Sequence, residues 1–222
     1  METFCVDFVS FVFSVYICGM SLELNGILKK VSSLYNRYGI RSITMDDVAR
    51  ELCISKKTLY QFVSDKEDLV EKVLMHEISN RPPLDNEKKS RNAIEDLFEV
   101  HSMINRVIRE TNPSKEYDLQ KYYPEINKKI VDIKRDITMR AMMYNIKKGK
   151  KEGLYRRELN ETIISKMYLL RMNQIVMDDA EAIKEYTSSK FILEMFIYHI
   201  RGMATQKGIE FLDNNIDKLM HE

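Results

Sequence analysis

Residues 44–69 read TMDDVARELCISKKTLYQFVSDKEDL, the pattern of two short helices joined by a tight turn and followed by the start of a third helix. Thr44 and Asp47, three residues apart, predict a capping box at the start of the first helix. Ser55 predicts the cap of a second helix of about two turns, and Cys53 lies in the turn between them. The stretch therefore predicts a helix-turn-helix.

The second helix has an inward and an outward side. Leu59 and Phe62, three residues apart, would face the core. The outward side chains can neutralise phosphates or hydrogen-bond to base edges; they are Lys56, Lys57, Thr58, Tyr60 and Gln61. This side predicts a helix that enters the major groove of DNA.

A third capping pattern, Ser64 with Glu67, places Lys66 in the first turn of the following helix. A cation at a helix N-terminus opposes the helix dipole, so Lys66 does not serve helix stability there. Contact with a DNA phosphate would explain its position.

These residues closely resemble the N-terminal DNA-binding domain of TetR-family transcriptional regulators. The resemblance covers about residues 26–74 and is carried by Thr44, Val48, Ala49, Ser55, Thr58, Leu59, Tyr60, Phe62, Lys66 and Glu67. Cys53 occupies the turn position where the family usually has glycine, which tolerates a positive φ. We expect Cys53 either to accept strain or to reshape the turn. The expected DNA-binding residues are Thr44, Ser55, Lys56, Lys57, Thr58, Tyr60, Gln61 and Lys66.

The resemblance implies a repressor that binds an inverted-repeat operator as a homodimer. Glu161–Met177 and Ser188–Met203 would form its four-helix interface. A small molecule entering the second domain would move the fourth helix, Lys66–Asn80, and release the DNA. The effector itself is unknown.

Composition favours an all-α protein, because its 222 residues include only 7 glycines and 4 prolines while 31% are charged. Pro82 and Pro83 predict the boundary between an N-terminal helix-turn-helix domain with its linking helix, residues 20–80, and a larger C-terminal helical bundle for ligand binding and dimerisation, residues 81–222. The formal net charge is only +1. Between Ile27 and Tyr60, however, seven basic residues face three acidic ones, a local surplus that suits DNA docking.

Residues 1–19 form an apolar N-terminal extension. The uncharged run Phe8–Met20 is shorter than the roughly 20 residues that span a bilayer, and no Lys or Arg precedes Lys29. We expect translation to start at Met20. A membrane-tethered regulator is the alternative.

The remaining residues carry no motif for an enzyme, a cofactor or a metal site. The three cysteines lack the spacing of metal ligands or of a disulfide framework, which favours a reducing, cytoplasmic location. Cys53 is either an inert small side chain or a redox sensor.

The predicted ligand-pocket residues are His101, Tyr144 and Tyr168. His101 and His199 each lie on an apolar helical face, where they are either satisfied core histidines or polar points of a ligand cavity. A helical protein-interaction module that keeps the fold without binding DNA is a further alternative.

Overall fold

Ten α-helices form the described part of the chain, residues 24–80, 91–110, 112–173 and 188–217 of a computed structural model. The helices are α1 Leu24–Tyr38, α2 Met45–Glu51, α3 Lys56–Leu59, α4 Lys66–Ser79, α5 Ala93–Glu110, α6 Pro113–Tyr122, α7 Pro124–Lys151, α8 Glu161–Asn173, α9 Ser189–Met203 and α10 Gln206–Asp213. The predicted all-α class is confirmed. The predicted linker at Pro82 and Pro83, the extension 1–19, and the end of the predicted helix Glu161–Met177 lie outside these residues.

The helices fall into two compact units. In the first unit, α1 packs along α4, and the two helices enclose one apolar core with α2 and α3. Fully buried members of this core include Ile27, Val31, Leu59, Leu69 and Val73. The helical spacing of these residues in the sequence creates the buried faces. Gly39 follows α1 with a φ of 81°, a conformation that glycine adopts without strain.

The first unit also contains residues 112–130, which comprise α6 and the first turns of α7. Leu119, Ile126 and Ile130 are buried in the same apolar core as α1 and α4. Dividing the chain at residue 80 assigns this segment to the second domain, whereas in the structure it packs with the helix-turn-helix. The difference arises because residues far apart in sequence complete one core.

The second unit consists of α5, most of α7, and α8 to α10. Its core includes Ile94, Ile146, Phe196 and Ile200, all at most 1% exposed. Tyr155 is also buried there, and its ring lies against α7 at Gly149, where a Cβ atom would come within 2.1 Å of Tyr155 Cδ2. The Tyr155 hydroxyl donates to Asn145 Oδ1 at 3.2 Å. Gly149 is therefore required for packing.

Candidate nucleic-acid interface

The predicted capping box starts α2. Thr44 Oγ1 accepts a hydrogen bond from the Asp47 backbone N–H at 3.1 Å, and Asp47 Oδ2 accepts one from the Thr44 N–H at 2.9 Å. The Thr44 hydroxyl also donates to Asp47 Oδ2 at 2.6 Å, and these bonds lower the pKa of Asp47. Thr44 remains exposed, so its position at the helix N-terminus is accessible to a phosphate.

Cys53 adopts a φ of 55°, and it is the only non-glycine residue with a positive φ in the described part of the chain. The Cys53 N–H donates to the Arg50 carbonyl at 3.1 Å, and the Ile54 N–H donates to the Ala49 carbonyl at 3.0 Å. This pair of bonds is the Schellman motif, which normally has glycine at this position. The turn therefore has the geometry that normally uses glycine, and Cys53 accepts the strain.

α3 begins as predicted and is shorter than predicted. Ser55 Oγ accepts a hydrogen bond from the Thr58 N–H at 3.0 Å, and the two hydroxyls lie 2.7 Å apart. The α-helix contains only Lys56–Leu59. After Leu59 the chain continues with hydrogen bonds between residues three apart, as in a 3₁₀-helix: the Gln61 N–H donates to the Thr58 carbonyl and the Phe62 N–H to the Leu59 carbonyl. The outward residues therefore stay on a helical surface.

The two sides of this segment are separated as the sequence predicts. Leu59 is fully buried and Phe62 packs partly against the core, whereas Tyr60 is 44% exposed. Lys56, Lys57 and Gln61 are exposed as well. Lys56 Nζ lies 3.0 Å from Asp46 Oδ2 on α2, and this bond raises the pKa of Lys56.

The predicted cap of α4 by Ser64 and Glu67 is wrong by one residue. Asp65 is the N-cap: its Oδ1 accepts the Asp68 N–H at 2.8 Å, while the Ser64 N–H donates to Asp68 Oδ2 at 2.8 Å. The pair Asp65–Asp68 has the same spacing, and a carboxylate at the cap also complements the helix dipole.

Lys66 is the first residue of α4, as expected, but its side chain is half-buried. Its Nζ atom lies 3.3 Å from the carbonyl oxygen of Arg41, in the loop that precedes α2. Burial lowers the pKa of Lys66, and the nearby carboxylates of Asp118 and Asp47 partly oppose this effect. The amine is thus positioned between the N-termini of α2 and α4.

The predicted ligand-pocket residues lie in the second unit. His101 on α5 is 1% exposed, its Nε2 lies 3.2 Å from Asn105 Nδ2, and its Nδ1 has no hydrogen-bond partner in the described residues. Burial lowers the pKa of His101, which favours the neutral ring. Tyr168 on α8 is 3% exposed, whereas Tyr144 on α7 is half-buried.

α9 connects two of these residues. The His101 ring meets the edge of Phe196 at a centroid distance of 5.2 Å, and the Tyr168 ring lies 5.0 Å from that of His199. Beside Tyr168, the buried Ser165 hydroxyl also lacks a partner among the described atoms. These side chains form a mainly apolar cluster that contains a few buried polar atoms.

Residues 27–73 match the sequence model of the bacterial regulatory proteins of the tetR family. This region contains the capped α2, the Schellman turn and α3 described above. This region is a TetR-family DNA-binding domain. The chain is accordingly a TetR-type DNA-binding transcriptional regulator.

Solved TetR-family structures have the same fold at low sequence identity. CprB from Streptomyces coelicolor, determined with its operator, has a TM-score of 0.58 and 14% identity over 88% of this chain and 96% of that one. A TetR regulatory protein from Rhodobacter sphaeroides has a TM-score of 0.61 and 9% identity, covering 83% and 100%. A TetR-family regulator from Cytophaga hutchinsonii has a TM-score of 0.58 and 13% identity, covering 81% and 94%. No curated protein matches the chain.

The described residues hold neither a cluster of metal-ligating side chains nor a membrane-spanning helix. No three or more His, Cys, Asp or Glu side chains converge there on a possible metal position. Within the same ranges, no helix has the length and apolarity needed to cross a membrane.

Sequence reasoning missed three residues of the first unit of this TetR-family protein. Arg41 approaches Lys66, the Arg41 N–H donates to Asp118 Oδ2 at 2.8 Å, and Lys115 is buried beside Glu77. Asp118 and Lys115 lie on α6, which carries no DNA-binding motif. Their charge alone predicts solvent exposure, and only the packing of α6 on α1 and α4 reveals their roles.

Proposed function

We propose that this TetR-family regulator binds an inverted-repeat operator as a homodimeric repressor and releases it when a small molecule binds in the second unit. The outward side of α3 and of the turn that continues it is the observation that carries the proposal. Lys57, Tyr60 and Gln61 are exposed on this side, while Leu59 is buried in the core. A rigid, capped polar surface of this kind suits the major groove.

The DNA-binding residues divide by the contact that each can make. Lys57 and Gln61 face base edges, whereas Thr44, Tyr60 and Lys66 bind phosphates. The remaining members, Ser55, Lys56 and Thr58, would contact the DNA backbone, and Ser55 is also the N-cap of α3. Lys56 exchanges its bond to Asp46 for a phosphate, so part of its electrostatic gain is offset by the lost ion pair.

An exposed apolar stripe on α8 supports the homodimer. Ile163, Met167 and Leu170 follow helical spacing and are 55%, 54% and 64% exposed. On α9, Tyr198 is 73% exposed. Neighbouring exposed apolar residues of this size characterise association surfaces. Two copies joined about a two-fold axis would bury the stripe and present two α3 helices to half-sites roughly 34 Å apart.

The effector would bind among His101, Tyr144 and Tyr168. His101 Nδ1 and Ser165 Oγ offer polar contacts within an apolar core. Because His101 and Tyr168 are buried among apolar side chains, an uncharged molecule with an apolar body suits this cluster best. Its binding would shift α4 and weaken DNA affinity through a coupling free energy of about 1–3 kcal/mol. We place this activity in the cytoplasm, because its target is DNA.

Selection of double-stranded DNA from a random pool tests the DNA-binding part. We expect an inverted repeat with half-sites about one helical turn apart. Enrichment of a single half-site would contradict the homodimer, and no enrichment would contradict sequence-specific binding.

A charge in the stripe tests the dimer directly. Leu170→Glu should yield a monomer by sedimentation and lose affinity for the full inverted repeat. Val131→Glu is the matched control, because Val131 is 44% exposed and lies outside the stripe. A dimeric Leu170→Glu protein would rule out this interface.

A further inference from the structure

Four residues of the first unit form a basic and aromatic surface, named here the α6 patch: Arg41, Tyr117, Lys121 and Tyr122. The Arg41 guanidinium carbon lies 4.6 Å from the centre of the Tyr122 ring, and Arg41 Nη1 donates to the Tyr122 hydroxyl. Lys121 Nζ donates to the Tyr117 hydroxyl at 2.6 Å and lies 5.0 Å from the Tyr117 ring. The Tyr122 ring is 5.6 Å from the same nitrogen.

Both cations of the patch keep donors available for a partner. Neither Arg41 nor Lys121 forms an ion pair with a carboxylate in the described residues. A guanidinium has five N–H donors and an ammonium group has three. The Tyr122 hydroxyl accepts one hydrogen bond from Arg41, and the Tyr117 hydroxyl accepts one from Lys121. Because the bond to Tyr117 raises the pKa of Lys121, this amine stays charged. The tyrosines thus order two cations without neutralising them.

The patch adjoins the proposed DNA-binding residues. The Arg41 backbone is held on one side by Asp118 of α6, and its carbonyl accepts a hydrogen bond from Lys66 on the other. Thr44 follows three residues later, so the two Cα atoms are at most about 11 Å apart. Phosphates of one DNA strand recur about every 3.4 Å along the helix axis. A backbone bound at Thr44 and Lys66 therefore passes within reach of Arg41.

We propose that the α6 patch binds backbone phosphates that flank the half-site read by α3. DNA is the favoured partner because the patch continues a phosphate-binding edge and offers spare donors beside exposed aromatic rings. The base sequence is read by α3, while the patch adds affinity and lengthens the stretch of DNA that the protein contacts. This inference rests on the proposed docking of α3.

The double variant Arg41→Gln/Lys121→Gln tests the patch on two DNA lengths. One duplex carries the selected operator with flanking base pairs, and the other ends at the half-sites. On the long duplex the double variant should bind about tenfold more weakly. Because the two protomers together lose four cations, the salt slope should fall by about 3.6. On the short duplex the two proteins should bind alike. Lys147→Gln, which removes an exposed cation of the second unit, is the control and should match the wild type.

The same titrations separate the patch from the docking of α3. Tyr60→Ala should weaken binding to both duplexes, and failure of that result would contradict the docking itself. Equal affinity and salt slope of wild type and double variant on the long duplex would overturn the patch. If, in addition, the double variant lost binding to polyglutamate, the partner of the patch would be an acidic protein and the proposal would still be overturned. Lys121→Gln alone, at a fully exposed position, repeats the test without touching Arg41.

Discussion

Lys115 Nζ lies 2.7 Å from Oε1 and 2.9 Å from Oε2 of Glu77, and the Lys115 side chain is only 5% exposed. Asn36 Oδ1 accepts a third bond from the same amine at 2.8 Å, and the Ser32 hydroxyl donates to Glu77 at 2.6 Å. One buried cation thus connects α6 to both α1 and α4. Every donor of its ammonium group has an acceptor.

Lys115→Met should destabilise the protein by about 3 kcal/mol, because it leaves the Glu77 carboxylate with one bond instead of three in a largely buried place. Urea unfolding followed by circular dichroism would measure the loss. The double variant Lys115→Met/Glu77→Leu should recover much of it, since no charge then remains without a partner. If the double variant were less stable than Lys115→Met, desolvation would not be the cause.

Cys53→Gly should stabilise the protein by about 1 kcal/mol. Removing the strain of the left-handed backbone should raise the free energy of unfolding by about 1–2 kcal/mol. The greater conformational freedom of glycine in the unfolded chain should lower it by roughly 0.5–1 kcal/mol. Cys53→Ala keeps the strain and should leave the unfolding midpoint unchanged, which makes it the matched control. Equal stability of the glycine and alanine variants would mean that the turn is unstrained.

His101 should make stability depend on pH. Burial lowers the pKa of His101 from its ordinary value of 6.5, so the unfolded chain takes up a proton more readily than the folded one. The free energy of unfolding should therefore fall as pH drops below about 6.5. His101→Gln should lose less stability than the wild type between pH 7.5 and pH 5.5 in paired denaturant titrations. The same loss in both proteins would exclude His101 as the source.

The helix-turn-helix could be predicted from sequence because its signals are local. The capping box of Thr44 and Asp47, the cap at Ser55 and the burial of Leu59 each depend on residues a few positions apart. The start of α4 shows the limit of such signals, since Ser64 and Asp65 both fit a cap and the hydrogen bonds favour Asp65.

What sequence reasoning missed depends on long-range packing. Lys115 and Asp118 belong to a helix with no motif, and they meet Glu77 and Arg41 only after α6 folds onto the first unit. The conformation of Cys53 was left open for a different reason. The sequence shows a cysteine in a position that favours glycine. It does not show whether Cys53 adopts the strained positive φ or the turn changes its conformation.

Tyr60 and Gln61 should give different binding defects, although they are adjacent and both exposed. Tyr60→Ala removes a phosphate contact and should weaken binding to every DNA sequence by a similar factor. Gln61→Ala removes a group that can bond to a base edge, so it should cost about 1–3 kcal/mol at one position and relax preference there. Titration of both variants against the selected operator and its single-base substitutions would separate the two effects. A uniform loss for Gln61→Ala would place Gln61 on the DNA backbone instead, and altered base preference for Tyr60→Ala would move Tyr60 into the groove.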